Sequence, residues 1–465
     1  MITRLRIKNF KCLADTGDID IRPLTLLVGP NSSGKSSMIQ PLLMIRQTVD
    51  SRDITKSIVV DGHYLNLGGF EDFAYLHQKD KELYLDFSFR LPEPLELDIP
   101  FLYRKRGEVN HRRIRIEEVR IETQFAYHRT RKMLYAKHSV WSILPDNVSF
   151  ERTWLGGKTY KITFNPGNLG DLYQVTNRAT GEFKCYNLSS FVSATFRPSI
   201  ASKRTISKLP FLQWITYGRL ADEITSETEN LFSRLFYIGP LRESPRRVYV
   251  ATGETPQDVG LRGESSVEVL WNAGEPGEAR RALLDKVNHW MNNFGIAKEV
   301  RFQKLAEKYF SLIVVDPKLD IEVNIADIGF GASQVLPIIV EGFYAPRHST
   351  LIMEQPEIHL HPALQAALGD LFIEISREQK TLLVETHSEH LLTRIQRRVA
   401  EGILDKSNVA IYYFEATHAG CLIREIRLND LGQFEAEGLP EDFFAERYKE
   451  SLAHAKAIAS KINPG

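Results

Sequence analysis

Cysteine is scarce in this chain: Cys12, Cys185 and Cys421 are the three among 465 residues. Their wide separation excludes a disulfide framework and the paired spacings of a structural zinc site. It points to a reducing compartment, the cytoplasm. Net charge is also missing, since 59 Lys and Arg balance 59 Asp and Glu. No bulk field draws such a chain to nucleic acid or to an anionic membrane, so any such contact must come from a local cluster. No unbroken apolar run reaches the length of a bilayer span. Residues 1–10 alternate apolar and basic side chains and lack the apolar core of a signal peptide. Heptads are absent, which excludes a long coiled-coil arm, and no repeat or low-complexity tract stands out.

What is present can bury sizeable cores. Hydrophobic residues make up 43% of the chain and charged residues 25%, as in globular proteins, and the length suggests two or three domains. Thr3, Leu5 and Ile7 alternate with Arg4, Arg6 and Lys8, which predicts a strand with one wet face. Short alternating runs broken by Gly, Pro and Asn fill residues 58–231, with strands expected at 83–89, 115–123 and 160–164. After residue 231, strands at 236–238, 349–353, 381–384 and 409–414 alternate with helices at 363–377 and 389–400. That order predicts a parallel sheet covered on both sides.

Four motifs carry chemistry. Gly29-Pro30-Asn31-Ser32-Ser33-Gly34-Lys35-Ser36 fits GxxxxGK[ST] in full, with an apolar strand at 24–28 before it and a helix from Ser37 after it. Glycines let the backbone wrap a phosphate with its N–H groups pointing inward, and the helix N-terminus adds positive potential. Lys35 can reach the β- and γ-phosphates, and Ser36 can ligate Mg²⁺. Pro41, inside the predicted helix, should bend it. Second, the apolar strand Leu351-Ile352-Met353 delivers Glu354-Gln355-Pro356-Glu357-Ile358-His359-Leu360-His361-Pro362 at its end, where a parallel sheet places its ligands. Third, Glu385-Thr386-His387-Ser388-Glu389-His390 follows another apolar strand. Fourth, Asp327-Ile328-Gly329-Phe330-Gly331-Ala332-Ser333-Gln334 opens a helix with small and polar residues. A zinc or two-metal site of His359, His361, His387 and His390 with Glu357 is an alternative on residue type alone.

Together these motifs resemble the RecF, SMC and OLD branch of the ABC-type ATPases, in the two ATPase pieces and the tail. The resemblance implies an α/β fold: an ABC-type P-loop ATPase split by a β-rich insertion, with a short helical C-terminal tail. Its parts would be residues 1–57 with the P-loop, 58–231 as the insertion, 232–429 with the remaining motifs and 430–465 as the tail. It implies ATP and Mg²⁺ as cofactors, held by residues 29–37 including Ser37, with Ser36 and Glu354 on the metal side. Gln355 takes the place of the catalytic glutamate, and His387 that of the switch histidine at the γ-phosphate. His361 and Pro362 fall in the D-loop at a dimer seam. Gly329, Gly331, Ser333 and Gln334 match a degenerate signature that binds the γ-phosphate held by a partner copy.

The chain departs from the pattern at Gln355, because an amide cannot accept a proton as a general base. Hydrolysis is then slow, or Glu357 supplies the carboxylate, or Gln355 orients the water. Family members serve in DNA repair, as chromosome clamps, or in anti-phage systems such as the Septu, PARIS and Gabija types. About 75 residues follow His387 with no Asp-x-Asp text, so no nuclease of its own is expected and a nuclease or toxin effector would be a separate partner. The expected function is a slow ATPase working as a nucleotide-gated homodimer or higher homo-oligomer. A non-hydrolysing ATP-locked clamp or scaffold is the alternative, and a transporter motor fits poorly.

Two further segments stay open. Tyr237-Ile238-Gly239-Pro240-Leu241-Arg242, with Arg246 and Arg247, and Gly438-Leu439-Pro440-Glu441-Asp442-Phe443-Phe444 are similar to bacterial ATPases of this kind that carry a short C-terminal domain. The three arginines either face phosphates or form surface ion pairs. Arg104, Lys105, Arg106, Arg112, Arg113 and Arg115, interleaved with Tyr103, Phe125, Tyr127 and Tyr135, suit either nucleic-acid contact or a solvated strand face.

Overall fold

The structure is a computed structural model that describes residues 1–53, 56–102, 109–156, 159–165, 179–184, 211–273 and 278–435. Nineteen strands among these residues form three sheets, and eight helices pack on them.

The sheet that matters for function has six strands: β4 (Leu24–Val28), β11 (Leu235–Ile238), β16 (Thr350–Glu354), β17 (Thr381–Glu385), β18 (Val409–Thr417) and β19 (Gly420–Glu425). Their spatial order is β11-β16-β17-β4-β18-β19. All neighbours are parallel except the β18–β19 pair at the edge. The parallel strands are almost wholly apolar because both faces are covered. Leu27, Ile352, Leu383 and Tyr412 point into one core, while Leu26, Met353, Val384 and Ile411 point into the other. The expected strands at 24–28, 236–238, 349–353, 381–384 and 409–414 all belong to this sheet.

The first core is closed by helices α1 (Lys35–Asp50), α2 (Phe70–Phe73) and α3 (Phe211–Ser233) and by a nine-stranded sheet. That sheet runs β10 (Ala179–Lys184), β9 (Thr159–Asn165), β8 (Val148–Gly156), β7 (Met133–Leu144), β6 (Val109–His128), β5 (Leu83–Leu102), β1 (Ile2–Phe10) and β2 (Leu13–Asp15), with β3 (Ile19–Asp20) also on β1. Across the boundary placed at residue 57 the chain therefore stays in one sheet, because β5 pairs directly with β1. Alternation shows that β1 has one buried face but does not name the strand that completes it. The carboxylate of Asp86, wholly buried, binds both Arg4 and Arg120 and ties β1, β5 and β6 together. Helix α1 runs on through Pro41, whose ring is buried in the core face.

The second core lies under α4 (Ser266–Asn272), α5 (Glu278–Asn293), α6 (Phe330–Tyr344), α7 (Pro362–Arg377) and α8 (Glu389–Ala400). It includes a four-stranded sheet of β12 (Tyr249–Val250), β13 (Glu299–Lys304), β14 (Tyr309–Val315) and β15 (Glu322–Asn324). Among the described residues, no helix is long and apolar enough to cross a membrane.

Candidate nucleotide site

The C-terminal ends of β4, β17 and β16 carry the site. β4 leads into the loop 29–34, where Gly29, Ser32 and Gly34 take positive φ of 138°, 61° and 108°. A Cβ on Gly29 would lie 2.3 Å from the backbone oxygen of Phe414, so only glycine lets the loop turn against β18. Helix α1 starts at Lys35 with no side-chain cap and no acidic residue in its first turn. Its first amides thus remain available to an anion. The Lys35 ammonium is folded back into the loop, donating to Gly29 O at 3.1 Å and Pro30 O at 2.7 Å. Pro30, Asn31 and Ser32 form the exposed rim, and the buried Ser33 Oγ finds no partner among the described residues.

One strand separates the P-loop strand from the Glu354 strand, and that strand, β17, ends in Glu385. Glu354 and Glu385 are cross-strand partners. Ser36 Oγ donates to Glu385 Oε2 at 2.8 Å, and Lys35 Nζ lies 4.0 Å from Glu385 Oε1. Tyr237 on β11 donates to Glu354 Oε1 at 3.1 Å. Glu385, not singled out from the sequence, is thus the carboxylate that touches the P-loop directly. The signal was present: like Glu354, it is an acid closing an apolar strand.

Burial, then the charge of Glu385, pushes the Glu354 carboxyl up to about 7. Burial also raises Glu385 and Glu357, and it lowers Lys35 against the pull of Glu385, Glu357 and Glu354. Several desolvated carboxylates beside a hydroxyl and a lysine suit Mg²⁺, which uses one or two carboxylates and the substrate's own phosphates. Among the described residues, no group of three or more His, Cys, Asp or Glu converges on a metal position. The zinc alternative finds no support there, and His359 and His361 are exposed.

Gln355 adopts a positive φ of 45°, and its N–H donates to Glu385 O at 2.7 Å. Glu357 is buried, and its Oε1 accepts the backbone N–H of His387 at 2.6 Å. Its carboxylate therefore holds the loop that presents the exposed His387 ring. In the signature segment Gly329 is exposed and Gly331 half-buried, whereas Ser333 and Gln334 are buried.

Gln334 is engaged within its own chain. Arg242, buried itself, donates to Gln334 Oε1 at 3.3 Å and to Glu354 O at 3.2 Å, so it joins the signature helix α6 to β16. Arg246 and Arg247 make exposed ion pairs with Glu243 and Asp327. The motif of three arginines thus splits, one in the site and two at the surface.

The basic segment looks different in place. Arg115 pairs with Glu117, Phe125 is in the core, Tyr127 stacks on Phe70 and Tyr135 packs on Trp154. Tyr103, Arg104, Lys105 and Arg106 lie outside the described residues, as does residues 436–465 of the tail, and the side chains of Arg112 and Arg113 are likewise outside them.

A family profile described as "AAA ATPase domain" matches residues 1–141 and 275–392, more than half of the chain. The chain belongs to this AAA ATPase family. A stretch of 45 residues is 42% identical to the OLD nuclease of Thermus scotoductus, covering 10% of this chain and 8% of that protein. The SMC head domain from Thermotoga maritima is similar at 11% identity and a TM-score of 0.39, covering 92% of this chain and 99% of that one. An SMC head domain with an extended coiled coil from Pyrococcus furiosus, bound to the C-terminal domain of ScpA, shares 11% identity at a TM-score of 0.39. Coverage is 98% of this chain and 99% of that one.

Proposed function

We propose that this ATPase binds Mg²⁺·ATP in the pocket between the P-loop and the ends of β16 and β17 and hydrolyses it slowly. The observation that carries this reading is the meeting of Lys35 and Ser36 with Glu385, beside Glu354. The P-loop amides and Lys35 would hold the phosphates, and Ser36, Glu354 and Glu385 would hold the cation, which supplies charge neutralisation at the γ-phosphate. Gln355 would orient the attacking water without taking its proton, which accounts for slow turnover. Glu357 is a positioning residue here, because it anchors His387 N–H.

The exposed His359, His361, Pro362 and Gly329 are the surface through which a second copy would complete the site. ATP would thus gate a homodimer, and the dimer would control a separate effector, such as a nuclease, in anti-phage defence or DNA maintenance. Nucleic acid could reach the dimer through the basic 104–115 segment. A second reading, an ATP-locked clamp that does not turn over, is favoured by the amide at position 355.

Phosphate release and sedimentation with ATP separate the two. The switch reading expects measurable turnover that falls at least about tenfold in Lys35→Ala and Glu385→Gln, together with ATP-dependent dimers. Turnover no higher than in Lys35→Ala, with dimers intact, selects the clamp. Gln355→Glu should then raise turnover and shorten the dimer's life. An ATP-independent monomer in every variant would sink both.

A further inference from the structure

Two of the three thiols meet beside the P-loop. Cys12 lies in the turn between β1 and β2, and Cys421 is the second residue of β19. They join the nine-stranded sheet to the edge of the six-stranded one, because Cys421 N–H donates to Cys12 O at 2.8 Å. That backbone bond sets the two segments side by side, and both sulfurs lie against the same glycine, Gly34. Both thiols are free and half-buried.

Both side chains crowd Gly34. A Cβ on that glycine would lie 2.6 Å from Cys12 Sγ and 3.1 Å from Cys421 Sγ. Cys12 Sγ is also 3.7 Å from Ser37 Oγ. Gly34 and Ser37 flank Lys35 and Ser36, so the sulfurs pack directly against the P-loop. Nothing in the ATPase reading uses them.

We propose that Cys12 and Cys421 are a peroxide-sensitive dithiol whose disulfide lowers the affinity of the P-loop for ATP. The second half of this inference rests on the nucleotide reading above. The two thiols are chemically unequal. Pairing with Cys421, aided by Ser37 and Lys11 against burial, brings Cys12 down to about 6, while the same pairing and burial push Cys421 up. Cys12 is therefore the more acidic of the two thiols and the better attacking group.

The Cys12 thiolate attacks one oxygen of a hydroperoxide. The O–O bond breaks, the alcohol or water leaves, and a sulfenic acid remains on Cys12. Cys421 then attacks that sulfur, forming the S–S bond and expelling water. Two thiols have lost two electrons and two protons to the peroxide, and a dithiol reductant reverses the change. Closing the bond draws the sulfurs off their seats against Gly34 and Ser37, and it tethers β19 to the β1–β2 turn. The loop then cannot settle around a triphosphate.

The test uses the full chain with hydrogen peroxide as the probe. Intact mass should fall by about 2 Da, peptide mapping should show the Cys12–Cys421 link, and dithiothreitol should restore the mass. The affinity for a fluorescent ATP analogue should fall at least about tenfold on oxidation and return on reduction. Cys421→Ser should gain oxygen rather than lose hydrogen, leaving Cys12 as the sulfenic acid. No loss of mass in the wild type, or a link through Cys185, overturns the dithiol without any reliance on the variant. A complete Cys12–Cys421 disulfide with unchanged affinity overturns the regulation. Reduced protein that binds no nucleotide overturns the ATP reading and with it the regulation, while the mass and mapping still decide the dithiol.

Discussion

Glu354 is the carboxylate on which the proposed cation site can be tested. Its carboxyl titrates near 7 rather than at the ordinary 4.5, because it is buried next to Glu385. A raised carboxyl favours the folded protein while it is protonated. That contribution is whole below about pH 4.5 and disappears as pH climbs through about 7. A cation relieves the repulsion that remains at higher pH and must displace the proton at lower pH. The rise in melting temperature given by Mg²⁺·ATP should therefore be larger at pH 8 than at pH 6. Glu354→Gln should flatten this dependence and raise the ligand-free stability at pH 8 by on the order of 2 kcal/mol. Equal shifts at both pH values in the wild type would contradict the assignment. The place of Glu354 at the strand ends was legible because an acidic motif closes its apolar strand. That of Glu385 needed the strand order, since nothing local says that β17 rather than β16 stands beside the P-loop.

At the scale of elements, the site is held by a few long-range ties. Arg242 is the clearest, since one guanidinium in a loop links helix α6 to the end of β16. Burial pulls its pKa down to about 10. Arg242→Ala would leave a buried amide oxygen and a buried carbonyl without their donor, at about 2–4 kcal/mol in chemical denaturation. ATP turnover should drop with it. Lysine is expected to restore little, having no planar fork to serve both acceptors. Full activity in Arg242→Lys would mean that the link is not what positions β16. From sequence the arginine could be placed only among phosphates or surface pairs, because its partners lie about a hundred positions away. The apolar strands and the helices after residue 231 were readable, since their periodicity is local.

For the whole molecule, the nine-stranded sheet joins strands β5–β10 to β1, ahead of the P-loop. β1 buries Leu5 and Ile7 in a core that β5, β6 and α3 complete. Excising 58–231 should give protein without cooperative unfolding by circular dichroism. A compact, ATP-binding remnant would show that the sheet is dispensable. Asp86→Ala probes the same junction without deleting anything. It leaves Arg4 to Asp18 and Arg120 to Glu122 and should cost about 1–3 kcal/mol in denaturant unfolding. The alternating pattern of these strands was visible in the sequence, but β pairing is non-local and period two does not choose a neighbour.

The flanks of β4 have a consequence for how the enzyme is made. The phosphate loop is synthesised some 350 residues before β17 and β18, the two strands that flank β4 on either side. A nascent or prematurely terminated chain thus carries the complete P-loop text with no walls around it. A fragment that stops short of β17 and β18 leaves the loop unwalled and should not hold a nucleotide.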